Sequence, residues 1–327
     1  MAHARKLEDA LDALSALRRQ PPSAESTAQL RKALAAKAVP LVARAARIAG
    51  DQDNHDLVPE LRAAFHRLLA NPVKSDPGCT AKTEIANALY KIGAYEDALF
   101  LVGVRHVQPE PVWGGSEDTA CDLRTACALG LVRLNHPAAH DELAELLADR
   151  ESAARMGAAR AIAYSEDARF SPLLRLKILA GDQEPQVVGE CLAALLRVAG
   201  DGALEFCDRL LDGMDAGRSE AAALALGESR LRAALPRLRD WWQRTTALEP
   251  RRTALLAIAM LRSEEAQAFL LSVIAEAPGH DARDAIAALG IFRDDTVLRQ
   301  RVCDVAAARD DVDLRAAIAA LTGAHAR

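Results

Sequence analysis

With 327 residues, half of them apolar but only 4% aromatic, the chain can bury a large core, and that core has to be built from alanine, leucine and valine. The balance of 41 Lys and Arg against 46 Asp and Glu leaves a net charge of -5, which excludes a general attraction to phosphate backbones or anionic lipid. Long β-branched runs are absent, which argues against strands, and no apolar run approaches the roughly 20 residues of a membrane span.

Taken in order, residues 4–19 place Leu7, Leu11, Leu14 and Leu17 at helical spacing before Pro21-Pro22 ends the helix. A second helix is expected from Ser26 to Lys37, and the two together read as an N-terminal cap over 1–38. Met1 to Gln20 contains no uninterrupted apolar segment of signal-peptide length, so no export by that route is expected. Pro40 opens the next helix, with Leu41, Ala45 and Ile48 on one side and Gly50 as its expected end, and Asn54 to Leu69 is its partner. Residues 40–105 form less regular repeats. Two turn-rich connections follow, Asn71-Pro72 through Pro77-Gly78 and then Val107 to Ser116, of which 106–116 reads as an insertion between repeats.

From 117 to 311 the units are regular. Ala128-Leu129-Gly130 has close variants at Ala88-Leu89-Tyr90, Ala161-Ile162-Ala163, Ala194-Leu195-Leu196, Ala225-Leu226-Gly227, Ala257-Ile258-Ala259, Ala288-Leu289-Gly290 and Ala320-Leu321-Thr322. The alanine-to-alanine intervals are 40, 33, 33, 31, 32, 31 and 32, a period that marks stacked helical repeats. In the unit over Ala153 to Leu179, Ala153 to Tyr164 is a first helix and Pro172 to Leu179 a second, with Leu173, Leu176 and Leu179 expected to face inward. Residues 312–327 supply a C-terminal capping helix. The whole of 1–327 is expected to be one all-helical array without a sheet.

The Arg that precedes these triplets, as at Arg155, Arg283 and Arg315, and the acidic residue two positions ahead of Arg124, Arg283 and Arg315 (Asp122, Asp281 and Asp313) carry a resemblance. Over 40–325 the chain resembles HEAT repeats, most closely the short bacterial HEAT-like variety named after phycobilisome lyases. The resemblance implies an all-α, right-handed α-solenoid of about eight to nine antiparallel helix pairs with terminal capping helices. It also implies that partners sit on the concave face lined by second helices. The aspartates are expected to cap helix N-termini, and the arginines to tie one unit to the next.

The six cysteines (Cys79, Cys121, Cys127, Cys191, Cys207, Cys303) follow neither a zinc nor a disulfide spacing and read as reduced core residues of a cytoplasmic protein. His136 and His140 have i, i+4 spacing, but Pro137 intervenes and no third ligand is close in sequence. The deoxyhypusine hydroxylases, also HEAT-like, use His-Glu dipeptides as iron ligands. This chain has only His55-Asp56, His140-Asp141 and His280-Asp281, which aspartate caps explain. No metal, cofactor or catalytic residue is expected.

The least ordinary stretch runs from Glu228 to Arg262, where Arg230, Arg232, Arg237, Arg239, Arg244, Arg251, Arg252 and Arg262 face only Glu228, Asp240 and Glu249. Leu231, Leu235, Leu238 and Trp242 form its expected buried stripe, which puts Trp241 between Arg237 and Arg244 on another face as a site for a partner. Trp113, between Pro111 and Gly114-Gly115, is a second candidate contact. Gly130 and Gly227 read as places where helices approach closely. The expected function is therefore a non-enzymatic scaffold that binds a protein or peptide. A bilin-lyase-like enzyme or subunit is the alternative from the repeat type, and nucleic-acid binding of the HEAT-like DNA glycosylase kind is the alternative from the Arg and Trp cluster.

Overall fold

The computed structural model describes residues 2–292, 294–309 and 311–322, which fall into two compact units, Met1–Ser165 and Glu166–Arg327. In the first unit the helices are α1 (Ala2–Leu17), α2 (Ala24–Leu34), α3 (Val39–Asp51), α4 (Val58–Leu69), the single turn α5 (Pro72–Ser75), α6 (Thr80–Ile92), α7 (Asp97–Val104), α8 (Cys121–Arg133), α9 (Ala139–Leu147) and α10 (Ser152–Ser165). The helices α3, α6, α8 and α10 pack side by side as one layer, and α2, α4, α7 and α9 form the other. The second unit repeats the plan. One layer is α12 (Pro185–Ala199), α14 (Ala216–Ser229), α16 (Leu248–Met260), α18 (Gly279–Ala288) and α20 (Val312–Thr322). Against it lie α11 (Ser171–Ala180), α13 (Leu204–Leu211), α15 (Ala234–Arg244), α17 (Glu264–Glu276) and α19 (Thr296–Ala307). The architecture is all-α and made of stacked antiparallel helix pairs.

The repeated triplet has a packing reason. Ala88, Ala128, Ala161, Ala194, Ala225, Ala257 and Ala288 are all buried, as is each Leu or Ile that follows except the half-buried Leu129, because the triplets sit where helices pack against one another. A methyl group at Gly227 would run into the backbone of Ala257, and one at Gly130 would lie 2.6 Å from the ring of Phe100. Small residues there let helices approach closely, and the core gains area from alanine rather than from aromatics. The expected roles of Gly130 and Gly227 are met. Gly50 differs: α3 runs past it to Asp51, and a methyl group there would sit 2.8 Å from Cα of Ala88, so it is a contact point and not a helix end. The side chains of Ala320-Leu321-Thr322 lie outside the described residues.

Charged side chains stitch the helices together. Arg31 pairs with Glu60, Arg62 with Glu96, Arg105 with Glu142 and Arg47 with Glu84, each reaching from one repeat to the next. In the second unit Arg251 reaches Asp281 at 2.7 Å, Arg252 reaches Asp284 at 3.1 Å and Arg283 lies 3.7 Å from Asp313. Of the arginines ahead of the triplets, Arg283 faces Asp313 of the next repeat, whereas Arg155 donates to the Asp149 and Arg150 carbonyls in the turn before its own helix, and Asp281 receives an arginine instead of capping its helix. N-caps come from other residues: Ser23, Asp215, Ser263 and Asp295 accept from backbone N–H groups at the starts of α2, α14, α17 and α19.

Two expectations are corrected. In α11 the buried residues are Leu174 and Ile178, while Leu176 and Leu179 are 64% and 55% exposed, because a four-residue step follows the helix face that a three-residue step leaves. A sheet is also present. β1 (Pro109–Val112) pairs antiparallel with β2 (Gly115–Asp118), so the stretch expected to be a turn-rich insertion over 106–116 is a hairpin that runs on to Asp118, where regular repeats were expected from 117. The prolines there read as turn signals, yet proline is compatible with an edge strand wherever its missing N–H would point outward.

Candidate functional site

The arginine-rich helices α15 and α16 turn out differently from their sequence pattern. Trp241 is 4% exposed and shares the buried stripe with Ala234 and Leu238, so it is core rather than a surface anchor between Arg237 and Arg244. Trp242, expected in the core, is half-buried at the edge of α16. Its ring meets that of Phe269 edge-on at 5.7 Å and lies beneath the Arg251 guanidinium at 4.5 Å. The buried stripe lies one residue out of register with the expected one, since i and i+1 differ by about 100° and α15 steps 4 then 3 from Ala234.

The local positive charge is likewise answered by carboxylates from other repeats. Arg237 Nε donates to Asp208 at 3.0 Å and its Nη1 to the Ala233 carbonyl at 2.7 Å, and Arg244 pairs with Asp212. Arg251 donates to both oxygens of Asp281 and to the carbonyls of Trp242 and Thr245 at 2.8 and 2.9 Å. Arg239 and Arg262 lie over the rings of Phe269 and Phe292. Arg237, Arg244, Arg251 and Arg252 are thereby bound up in ties between repeats, which takes their charge out of any track along a nucleic-acid backbone.

The other expected contact, Trp113, is 104% exposed at the tip of the β hairpin. Val112 pairs with Gly115, which leaves Trp113-Gly114 as a two-residue turn, and Gly114 takes φ +91°. Such a turn needs left-handed backbone, which glycine adopts without strain.

A buried polar network holds the hairpin's base. Glu110 accepts from the Gly78 backbone N–H at 2.7 Å, from Gln108 Nε2 at 2.6 Å and from Thr119 Oγ1 at 2.9 Å. Gln108, fully buried, also donates to the Asp76 carbonyl at 2.9 Å. Asp76 in turn accepts from the N–H groups of Ala81 and Lys82 and from Lys82 Nζ at 3.0 Å, with both side chains fully buried. On the other flank Asp118 accepts from the Gln108 and Ala120 N–H groups and from Arg124, which is buried and also lies 3.1 Å from Asp149. The two turn-rich connections of the sequence therefore meet, one capping α6 and the other feeding α8. Sequence spacing showed each as an interruption, but only tertiary structure shows that they bind one another.

The network sets its own protonation. Hydrogen bonds from Gln108 foremost, then Gly78 and Thr119, hold the Glu110 carboxyl below the usual carboxylate range. Burial works to raise that of Asp118, but the N–H groups of Gln108 and Ala120 and the Arg124 guanidinium outweigh it and hold Asp118 low. Burial, helped by the charges of Lys82 and Arg124, lowers His106. Burial pushes the Cys79, Cys191 and Cys207 thiols up to about 12 and Cys121 up to about 11, so none of them is poised as a thiolate.

Among the described residues, no group of three or more His, Cys, Asp and Glu is placed to hold a metal ion, and no helix is long and apolar enough to cross a membrane. His136, in the turn between α8 and α9, lies 3.8 Å from Asp97 at the start of α7.

No protein-family model matches the chain, and no curated protein is similar to it at a significant level. Among solved structures the fold is similar to the complex of CpcE and CpcF of phycocyanin lyase from Nostoc sp. PCC7120, at 17% identity and a TM-score of 0.38 over 76% of this chain and 94% of that one. It is also similar to human deoxyhypusine hydroxylase, solved in complex with glycerol, at 16% identity and a TM-score of 0.32 over 90% of this chain and 99% of that one. Likeness at that level assigns no chemistry to this chain. It does correct the expectation of a non-enzymatic protein: both similar structures are an enzyme or enzyme subunits, so the repeat fold is no ground for excluding catalysis.

Proposed function

We propose that this chain binds a protein or peptide partner through the hairpin between α7 and α8, with Trp113 as the central anchor. The observation that carries the reading is a fully exposed indole on a turn whose base is held by the hydrogen bonds of Glu110, Gln108 and Asp118. Burying a tryptophan side chain removes roughly 200 Å² from water, an unused gain of several kcal/mol. Tryptophan is the residue most enriched among interface residues that dominate affinity, and an anchor held rigid before binding loses little entropy on docking.

The test is photo-crosslinking in the native host, with a benzophenone amino acid replacing Trp113 in one strain and Met214 in another. Met214 is as exposed as Trp113, so exposure alone is matched. A discrete protein adduct from position 113 that position 214 does not give, and that competes with unlabelled parent protein, supports the reading. Identical adducts from both positions, or none from 113, would sink it.

A further inference from the structure

We propose that the open edge of β2 takes up an extended, basic segment of the partner as a third strand. The inference rests on the hairpin being the binding element and assigns how it binds. It begins with the two prolines. Residue pairs in an antiparallel ladder alternate between those that exchange both backbone hydrogen bonds and those that exchange none. Pro109 and Pro111, opposite Asp118 and Ser116, have no N–H to exchange, so the bonded pairs are Glu110 with Glu117 and Val112 with Gly115. The bond from the Thr119 N–H to the Gln108 carbonyl, at 3.1 Å, continues the same alternation one step further.

It follows that Pro109, Pro111, Ser116 and Asp118 turn their backbone groups outward. The outer edge of β1 then offers carbonyls but no N–H groups, and a strand cannot pair with it in register. The outer edge of β2 keeps what β1 lacks. Ser116, exposed, presents both its N–H and its C=O, and Asp118 presents its N–H while its carbonyl lies 3.5 Å from Cys121 Sγ. One edge of the hairpin is closed to strand addition and the other is open beside an exposed tryptophan. Strand addition draws affinity from main-chain bonds at such an edge and specificity from flanking side chains.

Charge selects the occupant. Between Val107 and Leu123 the chain carries Glu110, Glu117, Asp118 and Asp122 and no Lys or Arg. Asp118 is paired with Arg124, and Glu110 is held by neutral donors, while Glu117 is exposed on the open strand. A lysine or arginine on an incoming strand meets Glu117 favourably. A second copy of this chain would instead set Glu117 and Asp118 against the same residues, which disfavours self-pairing.

A phage-displayed library of random peptides, selected on the whole chain, tests this. Peptides that require Trp113, shown by loss of binding to Trp113→Ala, are carried forward. They are expected to be rich in Lys or Arg and to bind Ser116→Ala as they bind the parent. On Ser116→Pro, which removes an outward N–H and spares the pairs bonded to β1, they lose affinity by about tenfold or more, because one carbonyl of the added strand goes unanswered. Glu117→Lys, which alters no backbone group, weakens them by a similar factor and decides the matter if Ser116→Pro unfolds at a lower temperature than Ser116→Ala. Trp113-dependent peptides that bind Ser116→Pro and Glu117→Lys as well as the parent overturn the strand-addition inference and leave the hairpin reading standing. Selection that yields no Trp113-dependent peptide overturns both.

Discussion

The hairpin between α7 and α8 and the arginine-rich pair α15 and α16 each gather tryptophan and charge, and they dispose of them in opposite ways. In α15 and α16 the tryptophan Trp241 is core, and the charges are spent on neighbouring repeats through Asp208, Asp212, Asp281 and Asp284. In the hairpin the charges other than the exposed Glu117 are held at its base among Asp76, Lys82, Glu110, Asp118 and Arg124, and the tryptophan is left in water. Regular repeats are self-complementary, because a residue at a repeating position meets its counterpart about one period away. An inserted segment has no such counterpart. It has to be anchored by contacts of its own, and whatever that anchoring does not use remains free for something else.

The largest expected effect probes the anchoring itself. Lys82→Met leaves Asp76 charged and fully buried without its ammonium partner, and breaking a buried pair from one side costs about 3–5 kcal/mol. Urea unfolding of the variant against the parent measures it, and a loss below about 1 kcal/mol would mean that the pair is solvated and the hairpin base is loose.

Next comes the contrast inside α15. Trp241→Ala opens a core cavity and is expected to cost about 3 kcal/mol or more, whereas Trp242→Ala, half-buried and packed on Arg251 and Phe269, costs about 1–2 kcal/mol. Thermal unfolding of the two variants side by side decides the order, and the reverse order would put the buried stripe back on Trp242.

Acid separates the two regions more gently. His106 has a folded pKa below its ordinary value, so the stability it contributes is complete above about pH 6.5 and is lost as pH falls from there through the folded value. Glu110 and Asp118 are also held low, and their contribution is complete above about pH 4.5 and is lost as pH falls from there through their folded values. Unfolding midpoints followed against pH should therefore fall in two steps. His106→Gln removes the upper step and Glu110→Gln reduces the lower, and a profile that neither substitution changes would detach these groups from stability.

The smallest effects are expected at the surface. Arg237→Ala and Arg244→Ala remove ion pairs that are partly exposed, each worth about 0.5 kcal/mol or less, and Trp113→Ala should change stability by no more than that. Capture of the partner separates them: it should survive the two arginine changes together and fail with Trp113→Ala alone. Equal capture by all these variants would remove the distinction between the hairpin and the arginine-rich pair.

The helical repeat was legible because its cause is local and periodic. Ala-Leu-Gly and its variants recur where helices must approach closely, and that requirement returns once per unit, so spacing alone exposed it. Trp113 was legible for a similar reason, since its flanking Pro111 and Gly114 leave it no helix to join. The register of α15 was not. Two adjacent tryptophans differ by one step around the helix, and apolar spacing is satisfied by either.

What the sequence determined by itself is thus the all-helical class, the repeat period, the contact points at Gly130 and Gly227 and the place where the repeat is interrupted, all set by short-range spacing along one chain. Which tryptophan is buried, which aspartate answers each arginine, and the pairing of the interruption with the turn around Asp76 and Gly78 were decided only by tertiary structure. These depend on partners some thirty residues away, such as Arg237 and Asp208 or Gly78 and Glu110. A one-dimensional pattern records that a charge or an indole is present, and the fold decides whether it meets a partner or water.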